Sequence, residues 1–514
     1  MSSLIIHGHF YQPPRENPWT GAIETEPDAA PFHDWNERIH AECYEPNAAV
    51  HISDPLNGER TINNYANISF DFGPTLLVWL ERFHPATYSR IVAADAESVG
   101  RFKGHGNAIA QAYNHAILPL CNEHDRLTQI RWGLADFRYR FEREPEAMWL
   151  PETACNEDVL DSLIDHGLKF VILAPHQAAR IRATRATTNG WQLIEDGKLD
   201  TSMPYRRYHR NGSGQSLALF FYDRDMAHAI AFEHALSSSD ALAESMAQRR
   251  GTYGMVNVAT DGESYGHHHK FGDLGLAHLM ELAAPANGFC VSNYGEYLAR
   301  HPPTMEVEID NGPVGEGSSW SCIHGVARWS RDCGCHTGGE KNWNQGWRKP
   351  LREALDFLRD EGATAFEATR GELFVDPWAA RDDSIQLVLN QVESREMFLQ
   401  HHAARELSSE QQLRAFTFLE MQRNALLMYT SCAWFFNDIG GLEPIQILKY
   451  ACRVIELMNE LKLPSPRPRF LEILAEAQSN RPELGNGADI YRRRVEPANP
   501  SFDRTREVLS PATA

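Results

Sequence analysis

At 514 residues the chain is longer than one hydrophobic core usually fills, so two or three domains are expected. Apolar residues at 42 % and charged residues at 23 % match ordinary soluble globular proteins and exclude wholesale disorder or a fibrous repeat. A formal net charge of −20 argues against nucleic acid or an anionic membrane as partner, since both require clustered Lys and Arg, and leaves a neutral substrate open.

The start, Met1-Ser2-Ser3-Leu4-Ile5-Ile6-His7, lacks the basic start and long apolar run of a secretory signal and reads as a first β-strand. His7 and His9 flank Gly8 at its end; alternate strand residues point the same way, so both imidazoles face one site if the strand is regular. They would donate hydrogen bonds to sugar hydroxyls or bind metal, against the simpler account of one buried and one exposed histidine. Further on, His105, Asn107, Gln111 and Asn114 form a polar set suited to cradling hydroxyls.

Short apolar runs at Met148-Trp149-Leu150, Phe170 to Leu173, Leu217 to Phe221 and Met255 to Ala259 lack polar alternation and fit strands buried on both faces. Helical stretches between them, Thr75 to Arg82, Asp158 to His166 and Ala241 to Arg249, supply the crossovers. An α/β fold with a parallel sheet or barrel follows for residues 1–305. Two runs end in acids. Glu152 follows Pro151 directly after a strand, and Asp261 precedes Gly262 at the end of another, which is where α/β enzymes present catalytic carboxylates. In sugar chemistry Glu152 would be the nucleophile of a double displacement and Asp261 the acid/base, with Glu263 competing for the second role. The bland alternatives are a structural acid on backbone amides and an Asx turn. Double displacement further requires the two carboxyl groups to converge at about 5–5.5 Å.

Residues 306–350, rich in Gly, Pro, Trp and Cys, read as an irregular connection carrying functional side chains. Trp149, Trp320, Trp329 and Trp434 are candidate stacking platforms for a pyranose, although Trp is more often core. Cys322, His324, Cys333, Cys335 and His336 offer enough soft ligands for a zinc or iron–sulfur site, but their spacing fits none of the common CxxC frameworks. Buried thiols are preferred there, and no metal or other cofactor is expected. His267, His268 and His269 read as a solvated loop. Nine cysteines, odd in number and scattered, favour reduced thiols in a cytoplasmic protein. Residues 351–514 read as a helical domain: Leu351 to Arg359, Asp382 to Leu407, Ser409 to Phe436 and Pro444 to Leu461, with a tail after about residue 477 that is surface-wrapping or partly disordered. The most apolar stretch, Ala425 to Phe436, is too short for a membrane span.

Taken in order, HGHFYQPP (7–14), GHGNAIAQAYNH (104–115), MWLPET (148–153) and TDGESYG (260–266) resemble the motifs of glycoside hydrolase family 57. The segments GEGSSWSCIHGVARWSRDCGCHTG (315–338) and MYTSCAWFFNDIGG (428–441) look like a branch with a DUF3536-like second half. The resemblance implies an incomplete seven-stranded (β/α) barrel followed by a helical bundle that closes over the cleft. It also implies retaining hydrolysis or transfer on α-glucans without a catalytic metal, as in amylases, 4-α-glucanotransferases and branching enzymes. Glu152 would be nucleophile and Asp261 acid/base, with His7, His9 and Trp149 around the sugar. Other members present an Asp-Trp pair from the second domain where this chain has Ala433-Trp434. The rivals are a zinc-dependent α-mannosidase or polysaccharide deacetylase, disfavoured because Phe10, Tyr11 and Gln12 follow His9 where a mannosidase has an Asp, and a non-catalytic carbohydrate-binding protein.

Overall fold

A computed structural model describes residues 2–54, 58–184, 190–195, 197–389 and 395–500. Strands enter as Ser2–Phe10 (β1), Ser69–Phe72 (β2), Ala110–Gln111 (β3), Met148–Trp149 (β4), Phe170–Leu173 (β5), Ser216–Phe221 (β6), Met255–Asp261 (β7) and Phe289–Val291 (β8). The long β1 is the organiser. It pairs in parallel with β7 along one edge, and with β8 and then β2 along the other. A single parallel bridge from Phe70 to Ala108 leads towards β3, which pairs with β4, and another from Ala147 to Phe170 leads to β5, which pairs with β6. Every one of these contacts is parallel.

Parallel strands covered on both faces become continuous apolar runs. Leu4, Ile5, Ile6, Phe70, Val171, Ile172, Phe220, Val256 and Val258 are all buried accordingly. Helices Pro74–Phe83, Glu157–Asp165 and Ser239–Gln248 occupy the crossover positions read from the sequence. In the second of these the Asn156 side chain accepts from Val159 N, and Glu157 and Asp158 stand in the first turn, where the helix dipole favours acids. A further extension, antiparallel except where Tyr205–Tyr208 meets Met305–Ile309 in parallel, adds Tyr205–Tyr208, Met305–Ile309, Ala178–Ala183 and Gln192–Leu193 to β6, and the sequence does not show it. Their alternating polar residues, such as Arg180 and Arg182 paired with Glu308 and Glu306, hide the strand signal.

The chain divides into two compact units. The first comprises Met1–Gln12, Thr25–Tyr113 and Gln129–Gly325; the second comprises Pro13–Glu24, Asn114–Thr128 and Val326–Ala514. The change of unit after Gly325 falls within the 306–350 connection, while Pro13–Glu24 and Asn114–Thr128, inside the expected 1–305 domain, group with the second unit. Beyond residue 330 the named elements among the described residues are helices, the longest being Arg348–Glu367, Ser409–Leu427 and Leu442–Glu460. The expected helix from Asp382 to Leu407 is broken instead into Pro377–Asp383, Ile385–Val388 and Arg395–His402, with residues 390–394 outside the described set. Within this unit the buried Arg381 donates to Asp125 at 2.7 Å and to Thr128 and Gln422, so a paired charge rather than apolar contact fixes that part of the interior. The tail is ordered through the helix Gly487–Ile490 and as far as residue 500, and residues 501–514 lie outside the described set. No helix among the described residues is long and apolar enough to cross a membrane.

Candidate active site

Register alone assembles the first part of the site. His9 stands opposite Asp71 of β2 on one side and opposite Asp261 of β7 on the other, and registered neighbours in a parallel sheet share a face. An anion–cation–anion row results. His9 Nδ1 lies 2.9 Å from Asp71 Oδ2, and His7 Nε2 lies 3.0 Å from Asp71 Oδ1. His7 Nδ1 lies 3.0 Å from Ser69 Oγ.

The two histidines share a carboxylate but differ in charge. Burial lowers the pKa of His7 and outweighs Asp71, so it is the neutral partner, donating from Nε2 and accepting from Ser69. Burial also opposes charge on His9, yet Asp71, Asp261 and Glu263 together lift it to about 9. Trp149 stacks on both rings, with centroids 4.8 Å from His7 and 5.0 Å from His9.

Asp261 is open to solvent but crowded by protein. Its carboxyl is raised from 3.8 to about 6, first by that desolvation; His9 opposes the rise, and the charges of Glu152 and Asp71 add to it. Glu263, buried, is raised to about 7 by desolvation and by Asp261. Its Oε1 accepts from Tyr44 Oη at 2.6 Å and from Tyr11 N at 3.1 Å. Those contacts hold Glu263 in the structure, so of the two acids of this motif Asp261 is the one presented to solvent. Gly262 between them is required by space: a Cβ there would come within 2.3 Å of the Phe10 ring.

Glu152 has left-handed backbone, φ 60 and ψ 22, as does Thr153 at φ 48. Such geometry costs a residue with a Cβ about 1–3 kcal/mol and is retained where surrounding contacts impose it. Those contacts come from the Gly-rich connection. Trp320 N donates to Glu152 O at 3.1 Å, while Trp320 Nε1 at 2.9 Å and Ser321 Oγ at 2.7 Å both donate to Glu152 Oε2. Among the described residues Oε1 accepts no hydrogen bond, which leaves one oxygen of a fixed, half-buried carboxylate available for chemistry. Trp320→Phe and Ser321→Ala each remove one donor to a charged acceptor, a contact of about 1.5–3 kcal/mol. Each is expected to lower kcat roughly 10- to 100-fold with little change in KM, as steady-state kinetics will check.

The remaining expected site residues fall elsewhere or serve otherwise. Trp320 is a positioning group for Glu152, with its edge towards Trp149 at 5.2 Å, rather than an open stacking platform. Trp149 is 0 % exposed and clasped by the histidines. It therefore supports them and presents no free face; its buried Nε1 has no hydrogen-bond partner among the described residues. His105 pairs with Glu146 at 2.9 Å, before β4, whereas Glu152 follows that strand. Asn107 is buried between Tyr65 O and Asn293. Both thus stand towards the starting ends of the strands, away from the acids, and their hydrogen bonds are structural. Trp329 is buried. In the second unit Trp434 is 1 % exposed, donating to Arg348 O at 3.2 Å, and Ala433 is buried beside it, so neither offers a platform. Asp71, Tyr44 and Ser321 were not singled out from sequence. Asp71 alone carried a signal, as an acid alternating with Phe70 and Phe72 before Gly73.

Residues 6–310 match the model of "Glycosyl hydrolase family 57", and residues 343–508 match "Domain of unknown function (DUF3536)". Alpha-amylase 1 of Dictyoglomus thermophilum is 22 % identical over 130 residues, a stretch covering 25 % of this chain and only 18 % of that amylase. An exo-type maltose-forming amylase from Pyrococcus sp. ST04 superposes with a TM-score of 0.67 at 14 % identity, over 92 % of this chain and 82 % of its own. A branching enzyme from Pyrococcus horikoshii gives a TM-score of 0.52 at 15 % identity, over 96 % of this chain and 94 % of its own. A 4-alpha-glucanotransferase from Thermococcus litoralis gives 0.52 at 15 % identity, over 90 % of this chain and 60 % of its own. At these identities the likeness establishes the fold.

Proposed function

Since the chain belongs to glycosyl hydrolase family 57, whose model covers residues 6–310, we propose that it is a retaining enzyme acting on α-linked glucans. The parallel succession of β7, β1, β2, β3, β4, β5 and β6 supports reading the first unit as the family's incomplete seven-stranded barrel, with the residues after about 350 as a helical domain. Glu152 is the nucleophile. Held through Oε2, it attacks the anomeric carbon with Oε1 and forms a glycosyl ester. Asp261, protonated below about pH 6, gives its proton to the departing glycosidic oxygen; once ionised, it takes one from the acceptor hydroxyl. His9, kept positive by Asp71, faces the developing charges as a fixed cation.

The observation that carries this reading is the contrast between the two acids: Glu152 is fixed by two donors, and Asp261 is lifted towards neutrality partly by the charge of Glu152. A binding protein needs neither feature. The zinc-enzyme alternative is weakened by geometry, because Asp71 bridges His7 and His9 through separate oxygens, so the imidazoles address one carboxylate and not a common ion.

Hydrolysis, chain transfer and α-1,6 branching all pass through the same glycosyl ester, with water or a sugar hydroxyl as acceptor. We place the enzyme inside the cell, without a nucleic-acid or membrane partner. Incubation with amylose and maltoheptaose, followed by proton NMR of the newly formed anomers and by chain-length analysis, tests the proposal. Initial products should be α-anomers; β-anomers, or no turnover of any α-glucan, would overturn it.

A further inference from the structure

The segment from Cys322 to Cys335 contains Cys-Ile-His, an eight-residue spacer and Cys-Gly-Cys. One ligand atom from each of Cys322, His324, Cys333 and Cys335 lies within 4.8 Å of all the others. A single tetrahedral ion with thiolates at about 2.3 Å and imidazole at about 2.0–2.1 Å sets its ligand atoms about 3.4–3.8 Å apart, so the four need to draw in by only about an ångström. Most iron–sulfur clusters are bound by four cysteines spread around a larger core, whereas this set is compact and includes an imidazole, which suits a single ion better. Cys322 is buried, whereas Cys333 and Cys335 are half-buried and His324 is exposed, so burial alone does not account for their convergence.

We propose that Cys322, His324, Cys333 and Cys335 bind one zinc ion, a structural site closing this continuous loop. The local backbone suits it. Gly334 at φ 80 makes the turn that places both flanking thiols at one point, and its N–H donates to Asp332 Oδ1 at 2.9 Å. Arg348, itself buried, donates through Nη1 to Cys335 O at 2.8 Å. Three thiolates and a neutral imidazole around a divalent ion carry one net negative charge, which the neighbouring guanidinium offsets. His336 lies outside the group and accepts from Gly338 N. Cys322 directly follows Trp320 and Ser321, the residues that hold Glu152, so the ion would also fix the end of the loop from which those donors project. Only that last consequence rests on the function proposed above.

The test uses the full-length chain, purified without a histidine tag or added metal. Elemental analysis should find about one zinc per chain, retained in His336→Ala and lost in the double variant Cys333→Ser/Cys335→Ser. On the folded wild-type chain, titration with a mercurial should release zinc in step with modification of these thiols. Cobalt exchanged for zinc should show thiolate-to-metal charge-transfer absorption. Undiminished zinc in the double variant, iron in place of zinc, or a metal-free wild-type chain with no cobalt–thiolate absorption would overturn the proposal. Loss of activity on amylose without loss of zinc would count against the function and leave the metal site standing.

Discussion

Glu152→Ala is expected to reduce turnover of maltoheptaose by roughly 10⁴-fold or more, the scale on which removal of a covalent nucleophile acts. Azide should restore part of it, because the small anion fits the space left by the carboxylate and attacks from the same side. One displacement then inverts the anomeric centre, and the product is a β-glycosyl azide. In Asp261→Ala the glycosyl ester still forms, most readily from a substrate with a good leaving group, and azide takes the place of the acceptor. Two displacements give an α-glycosyl azide. The anomeric coupling constant in the proton NMR spectrum therefore distinguishes the roles of the two acids. The opposite pairing of variant and anomer would exchange them, and absence of azide products from both, with the folds intact, would remove both acids from the mechanism.

Asp261→Asn is expected to lower kcat/KM on maltooligosaccharides by roughly 10²–10⁴-fold, the worth of a positioned proton donor, and to spare aryl maltosides, whose leaving groups need little protonation. Its pH dependence should change with it. With Asp261 titrating at about 6, the wild-type rate falls as pH rises through that value, a limb the Asn variant should lack. His9→Gln should move the same limb to higher pH, because the His9 charge holds the Asp261 carboxyl down. Stability responds in a definite direction. The folded-state pKa of about 6 lies above the ordinary 3.8, so the contribution of Asp261 to stability is fully present below 3.8 and is lost as pH rises through 6. Asp261→Asn should accordingly raise Tm above wild type at about pH 7.5 and match it near pH 4. A variant destabilised at about pH 7.5 would show that Asp261 is not held against its ionisation.

Residues whose signal is confined to one strand were legible in the sequence. The runs around Leu4, Val171, Leu219 and Val256 needed only continuous apolar character to be read as doubly covered strands, and each is one. Glu152 and Asp261 were visible because each ends such a run. Elements whose stability depends on partners were not legible. Ala110–Gln111 is two residues long and exists because Met148–Trp149 lies beside it; Met305–Ile309 carries acids whose partners lie on the neighbouring strand, and Tyr205–Tyr208 carries Arg207, whose partners Glu157 and Asp161 lie on a helix. His105 and Asn107, two of the four residues of the polar set with Gln111 and Asn114, read as a hydroxyl cradle because composition does not reveal which end of a strand they occupy. The roles of Trp320, singled out only as a stacking platform, and of Ser321 were hidden for a similar reason. Their task is defined by a carboxylate about 170 positions away in the chain, a pairing that periodicity cannot encode.

The backbone of Glu152 has one more implication. At φ 60 the residue that relaxes most easily is glycine, which adopts this region without steric cost. Glu152→Gly, while inert as a catalyst, is for that reason expected to melt at a higher temperature than Glu152→Gln. A charged side chain at a position whose backbone favours glycine meets a demand that folding does not make.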